Sequence, residues 1–226
     1  MSEPRADERQ PAPSSCGKSA FWDARIMAWE KSRYSLLSQF NPFSWTVQRR
    51  MSAARRLLRD DFKRRSRILD LGCGSGLLAQ AILDDPARRY NGVDFSKAAV
   101  SAARRRFSDR ADRIRFEQRD VLDGPGWEAP LIVFLGLLDW LDEREMLLLF
   151  RKLKGETLCF SFTEAESGAA GLLYRRYRRC ADKTYRARDF LESKIAAAAK
   201  SAGYRIDRIM RVSRLDPGRL VTASRP

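Results

Sequence analysis

The chain contains no histidine. Any proton transfer it performs must use Asp, Glu, Tyr, Lys, Cys or solvent. Cysteine is sparse: Cys16, Cys73, Cys159 and Cys180 stand far apart, and none forms a C-x-x-C pair. That spacing argues against a zinc or thiol-redox site, so no metal is expected. Cys73 and Cys159 lie in apolar or glycine-rich surroundings, where small buried thiols are common, and the chain reads as one from a reducing, cytoplasmic compartment. Long apolar runs are missing too. The longest, Leu131 to Leu138, is far short of the ~20 residues that span a bilayer. The N-terminus lacks an apolar h-region, so no secretion signal is expected. Acidic charge is short: 29 Asp and Glu face 44 Lys and Arg, leaving a formal charge of +15. A balance of that size suits nucleic acid, an anionic lipid surface or an acidic small substrate. The basic residues are spread through many segments rather than gathered in a tail, which equally suits solvated faces.

With 226 residues the chain is long enough for one full α/β core and short for two. Residues 1–18 are polar, carry Pro11 and Pro13, and read as a disordered tail. Residues 19–62 form an aromatic-rich helical cap. One helix is expected over 21–37, a turn at Asn41-Pro42, and a second helix capped by Ser44 and running to about Asp60. From residue 63 onward strands and helices alternate. Strands are expected at 67–71, 90–93, 114–118, 131–135, 157–162, 205–212 and 220–223, with helices at 76–83, 97–107, 142–153 and 188–202. Such alternation implies a mostly parallel sheet with helices on both faces. The last two strands, joined through Asp216-Pro217-Gly218, read as a hairpin. A lid insertion is placed at about 164–186.

The chain is organised around Arg67-Ile-Leu-Asp-Leu-Gly-Cys-Gly-Ser-Gly-Leu-Leu. A buried strand ends in Gly72, Gly74 and Gly76 and runs straight into a helix. Glycines let backbone approach a ligand closely, and a helix N-terminus offers unpaired N–H groups. The dinucleotide fingerprint G-x-G-x-x-G would need glycine where Leu77 stands. The sequence reads G-x-G-x-G instead, preceded by Asp70 and followed by Asp94 at the end of the next strand. This pattern resembles the class I S-adenosylmethionine-dependent methyltransferases, over roughly residue 66 to the C-terminus.

The resemblance implies a Rossmann-like, seven-stranded sheet of order 3-2-1-4-5-7-6 and S-adenosylmethionine as cofactor. It implies that Asp70, Gly72, Cys73, Gly74 and Gly76 hold the methionine part, with N–H donors toward its carboxylate. Asp94 would bind the ribose hydroxyls, with Phe95 packing on adenine. Asp120 would accept from the adenine amino group beside Val121, and Gly136 would let the donor approach the fourth strand. Asp139 stands near where many small-molecule members carry histidine. It is open to three readings: general base, substrate ligand, or cap of the following helix.

In such enzymes the cap and the lid commonly build the acceptor pocket. Trp22, Trp29, Tyr34, Trp45, Trp140, Tyr174 and Tyr177 are the candidates, each of which packing alone would also explain. The expected function is O- or N-methylation of a small or lipid-like acceptor, with an anionic group as one form of it, by a monomer or homodimer that can touch a membrane peripherally. The Gly-Leu-Leu-Asp-Trp stretch resembles metabolite methyltransferases, porphyrin O-methyltransferases among them. A nucleic-acid methyltransferase is the second reading. Neither an Asn-Pro-Pro-Tyr-type nor a Pro-Cys motif supports it. A binding protein that keeps the fold without the chemistry is the third.

Overall fold

The computed structural model describes residues 15–34, 42–60, 66–82, 87–165, 188–212 and 217–226. Helix α1 spans Ser15–Tyr34 and α2 spans Pro42–Asp60. Then follow β1 Arg67–Leu71, α3 Leu77–Ile82, β2 Arg89–Asp94, α4 Lys97–Arg106, β3 Ile114–Gln118 and β4 Leu131–Phe134. The rest is α5 Glu143–Lys152, β5 Thr157–Thr163, α6 Glu192–Ser201, β6 Arg205–Arg211 and β7 Gly218–Ser224. Helix α1 begins at Ser15, inside the stretch read as a tail to Lys18, and the rest of that stretch lies outside the described residues. Pro42 begins α2 rather than Ser44, in keeping with the preference of proline for a first helical turn, where its missing N–H costs nothing. Of the lid insertion only Glu164 and Ala165 fall within the described residues, and Tyr174 and Tyr177 lie outside them.

The seven strands make one sheet of order β3-β2-β1-β4-β5-β7-β6. β1 to β5 pair in parallel; β7 runs antiparallel to both β5 and β6. Apolar positions sort onto two faces. On one, Ala54, Leu57 and Leu58 of α2, Leu78 of α3 and Val100 of α4 pack with Ile68, Tyr90, Ile114 and Phe116. On the other, Met146, Leu149 and Phe150 of α5 and Ile195 of α6 pack with Leu71, Ile132, Phe134 and Phe160. Parallel strands buried on both faces read as continuous apolar runs, which is why β4 and β5 are buried at every position.

Capping fixes the helix starts at the carboxyl edge of the sheet. Ser96 accepts from Ala99 N at 3.2 Å to start α4. Asp142 and Glu145 form a reciprocal capping box at the start of α5. The cap of α5 is thus Asp142, which leaves Asp139 with other work.

Candidate functional site

The segment after β1 turns on three left-handed glycines: Gly72 at φ +74°, Gly74 at +54° and Gly76 at +78°. Their reasons differ. A Cβ on Gly76 would come within 2.9 Å of Phe107 and Phe116, and one on Gly72 within 3.2 Å of Leu137. Both are glycine because the surrounding core leaves no room. A Cβ on Gly74 would instead stand 2.6 Å from the Glu30 Oε1 carboxylate oxygen, so Gly74 alone of the three faces a polar group. The loop is pinned to β2, with Gly72 N and Cys73 N donating to Val93 O at 2.8 and 3.1 Å.

Asp94 ends β2. Its Oδ2 accepts from Gly74 N and its Oδ1 from Ser96 N, each at 2.9 Å. Burial pushes its pKa up to about 6, against the pull of those two backbone bonds, and the Glu30 and Asp23 charges push the same way. A carboxylate oxygen has two lone pairs. One on each oxygen remains for further donors, and the backbone holds the plane of the group.

Asp70 is at the end of β1 but turned inward, where it accepts from the Tyr90 hydroxyl. Burial raises its pKa to about 7, opposed by that bond and aided by the Asp94 charge. Cys73 is a buried thiol pushed well above its usual range, first by burial and then by Asp94 and Asp70. It stays protonated and is no nucleophile.

Helix α1 brings two acids that sequence reasoning did not select. Glu30 is buried; its carboxylate accepts from Ser75 N at 2.9 Å and from the Ser75 hydroxyl. Asp23 accepts from Ser96 Oγ at 2.6 Å and Ala98 N at 3.1 Å, at the start of α4. Seven residues apart, they share one face of the helix. They are its only two acids, and that was the signal available. Loop donors expected to meet a cofactor carboxylate are therefore already taken, Gly74 N by Asp94 and Ser75 N by Glu30. Arg106 closes the far side by donating to Ser75 O at 2.6 Å and Ser75 Oγ at 2.8 Å.

At the end of β3, Asp120 Oδ1 accepts from Leu122 N at 2.9 Å, which makes it a turn former in this structure. Val121 is buried in the core and Phe95 is half-buried. Arg119 N donates to Asp94 O at 3.0 Å, so the ends of β2 and β3 are tied together beside the loop.

At the end of β4, Gly136 has φ +74° and donates its N–H to Ser161 Oγ at 2.8 Å. Asp139 lies in a 3₁₀ turn, Leu138–Trp140, and caps nothing. Its Oδ1 accepts from Thr163 N at 2.9 Å, and its Oδ2 meets Arg50 Nη1 of α2 at 3.2 Å. Trp140 meets Trp22 of α1 edge to face, ring centroids 4.7 Å apart. Two of the expected pocket aromatics thus come together across a gap of more than a hundred residues. Trp29, Tyr34 and Trp45 lie on α1 and α2, with side chains outside the described residues.

Comparison with known proteins bears on part of the chain and on its fold. A family model described as a methyltransferase domain matches residues 68–155. Those residues, under half of the chain, are therefore similar to a methyltransferase domain. The fold of the chain is that of the class I S-adenosylmethionine-dependent methyltransferases, in the strand order expected from the sequence. The structure is similar to magnesium protoporphyrin IX methyltransferase from Synechocystis PCC 6803 with bound S-adenosylhomocysteine, at TM-score 0.76 and 16% identity, covering 94% of this chain and 100% of that one. The same protein with S-adenosylmethionine bound gives 0.70 and 15%, covering 96% and 100%. Mitomycin 7-O-methyltransferase gives 0.64 and 20%, covering 88% of this chain and 60% of that one. At these identities the likeness is one of fold. No curated protein matches the chain in sequence.

The neighbour from Synechocystis was solved with S-adenosylhomocysteine or S-adenosylmethionine bound, and the glycine loop of this chain can be tested against that ligand. The Gly74 backbone is bare toward the Glu30 carboxylate, which a Cβ there would meet at 2.6 Å. Asp94 keeps one lone pair per oxygen, enough for a vicinal diol. The surrounding charge is acidic, from Asp94, Glu30 and Asp23, which suits a ligand bearing a sulfonium and an ammonium.

Proposed function

We propose that this chain is an S-adenosylmethionine-dependent methyltransferase acting on a small or lipid-like acceptor held between the first helix and the end of β4. The observation that carries the reading is the Trp22–Trp140 pair. It joins the first helix to the turn that follows β4 through two aromatic rings. A concave apolar site with a few placed polar groups suits such ligands. The Arg50 guanidinium, buried beside Gly136, supports an anionic group on the acceptor.

When bound, S-adenosylmethionine supplies a methyl on a sulfonium, already a good electrophile. The chain then has to align and desolvate. Asp94 and Gly74 fix one end of the site. Trp22 and Trp140 exclude water from the other. Asp139 in this reading is a positioning residue. Both its oxygens are engaged, by Thr163 N and Arg50, so it holds the guanidinium in place rather than taking a proton. An acceptor that is a carboxylate, an ionised phenol or a neutral amine needs no base.

The test is release of S-adenosylhomocysteine from the full chain, over a panel of aromatic and long-chain carboxylic acids, phenols and amines. Turnover on one chemical class, lost on Trp140→Ala, is expected. Methylation of RNA alone would replace this reading with the nucleic-acid one.

A further inference from the structure

The open face of β1, β2 and β3 carries charge where a helix would pack. Exposed residues interrupt burial at the starts of these strands. Even-numbered Ile68, Tyr90, Ile114 and Phe116 enter the core, whereas Arg67, Arg89, Asn91 and Arg115 are exposed. The connection from β3 to β4, residues 119–130, contains no helix that would cover them.

Register brings the arginines together. Arg67 is paired directly with Arg89, and Asn91 with Arg115. Arg113 falls beside Arg89, since Tyr90 N donates to Arg113 O at 2.9 Å. Arg67, Arg89, Arg113 and Arg115 line a cavity of about 230 Å³, together with Asn91 and two carboxylates, Asp112 and Glu128. Among the described residues, Arg67, Arg89 and Arg115 make no side-chain hydrogen bond or ion pair. The cavity sits at the amino ends of the strands. The glycine loop follows the carboxyl end of β1, so the two sites are on opposite edges of the sheet.

Like charges placed opposite one another on neighbouring strands are destabilising. Among the described residues, the two carboxylates lining the cavity offset only part of the charge of its four arginines. An anion bound among them would reverse the sign of that repulsion. Guanidinium forks match phosphate oxygens two at a time. The volume is below the ~300–1,000 Å³ of clefts for drug-sized ligands, so the occupant is a small group.

We propose that this cavity binds a diphosphate group, free or as the end of a larger molecule. Inorganic pyrophosphate is the probe, titrated calorimetrically into the full chain at physiological salt, with sulfate as comparator. One saturable site per chain is expected, with sulfate at least tenfold weaker. Arg89→Gln/Arg115→Gln should weaken pyrophosphate at least tenfold and leave S-adenosylhomocysteine affinity unchanged. The double variant without ligand should melt at or above the wild-type temperature, because repulsion is relieved, and pyrophosphate should no longer raise it. Pyrophosphate against adenosine diphosphate separates the free ion from a group on a larger molecule, and tight binding of either one supports the site. Absence of saturable binding, parity with sulfate, or equal affinity in the variant would overturn the proposal. A lower melting temperature with unchanged binding would mark the arginines as structural. Displacement of pyrophosphate by a tighter-binding RNA oligomer with steep salt dependence would assign the face to nucleic acid instead.

Discussion

Arg50 Nη1 lies 3.2 Å from Asp139 Oδ2, with only 9% and 11% of the two side chains exposed. A buried pair is worth little net, but removing one partner leaves the other charge uncompensated, at a cost of about 3–5 kcal/mol. Asp139→Asn keeps an acceptor for Thr163 N and loses the charge. Its melting temperature is expected to fall by roughly 10 °C for a chain of this size. Adding Arg50→Met should recover most of that loss. An Asp139→Asn protein with unchanged melting and turnover reduced by roughly 10²–10⁴ would restore the general-base reading.

Gly74→Ala combines φ +54° with a Cβ 2.6 Å from Glu30 Oε1. Left-handed backbone costs a non-glycine residue roughly 1–2 kcal/mol, and Glu30 must also move off Ser75. Loss of measurable S-adenosylhomocysteine binding in a folded variant is expected by calorimetry. Normal affinity would show that the ligand does not approach the loop here. Gly203 serves as the control. It has φ +81° with nothing within 4 Å of a Cβ, so Gly203→Ala should cost stability and leave binding alone.

Asp94 should make cofactor affinity depend on pH. Held at about 6 by burial, it is ionised at pH 8 and protonated at pH 5. Only the ionised form accepts on both oxygens. Affinity is expected to weaken as pH falls through about 6, and Asp94→Asn should flatten the profile. At pH 8 that variant should bind more weakly by roughly 1.5–3 kcal/mol, the range for hydrogen bonds to a charged group. A wild-type profile that is flat between pH 5 and 8 would remove Asp94 from the site.

Asp70 should act on stability instead. Its folded pKa of about 7 lies above the reference value of 3.8, so between those values the folded state keeps a proton that the unfolded chain releases. The stability this group contributes is complete below about pH 4 and is lost as pH rises through 7. Asp70→Asn retains an acceptor for Tyr90 and cannot titrate. Its melting temperature relative to wild type should climb from pH 4 to pH 7.5 and then level off. Parallel melting curves across that range would show that Asp70 is not buried as a carboxylic acid.

The strand positions and the glycine turn were readable because both are local, whereas the strand order came from the family resemblance. β1 and β3 were placed to the residue by apolar alternation and by the glycines and polar residues that end them. The capping box at Asp142 is likewise local. What escaped depended on distant partners. Asp139 is tied to Arg50 across 89 positions, and nothing near either residue announces the other. Gly72 and Gly76 looked like ligand glycines until Leu137, Phe107 and Phe116 explained their missing side chains. Asp70 looked like a ligand residue until Tyr90 claimed it. Glu30 sits in a helix with no motif around it, and its role shows only once the helix lies over the loop.

The bond from Arg50 to Asp139 also sets a timetable. A ribosome adds about 5–20 residues per second, so Arg50 is made on the order of 5–20 s before its counter-charge exists. Ser161, 111 positions from Arg50, arrives later still. During that interval the apolar residues Ala54, Leu57 and Leu58 have no sheet to cover, and Arg50 has no buried carboxylate to meet. Helix α2 is made before β5 and β7, which it meets across the sheet, so nascent chains stalled before β5 are where a chaperone would find it.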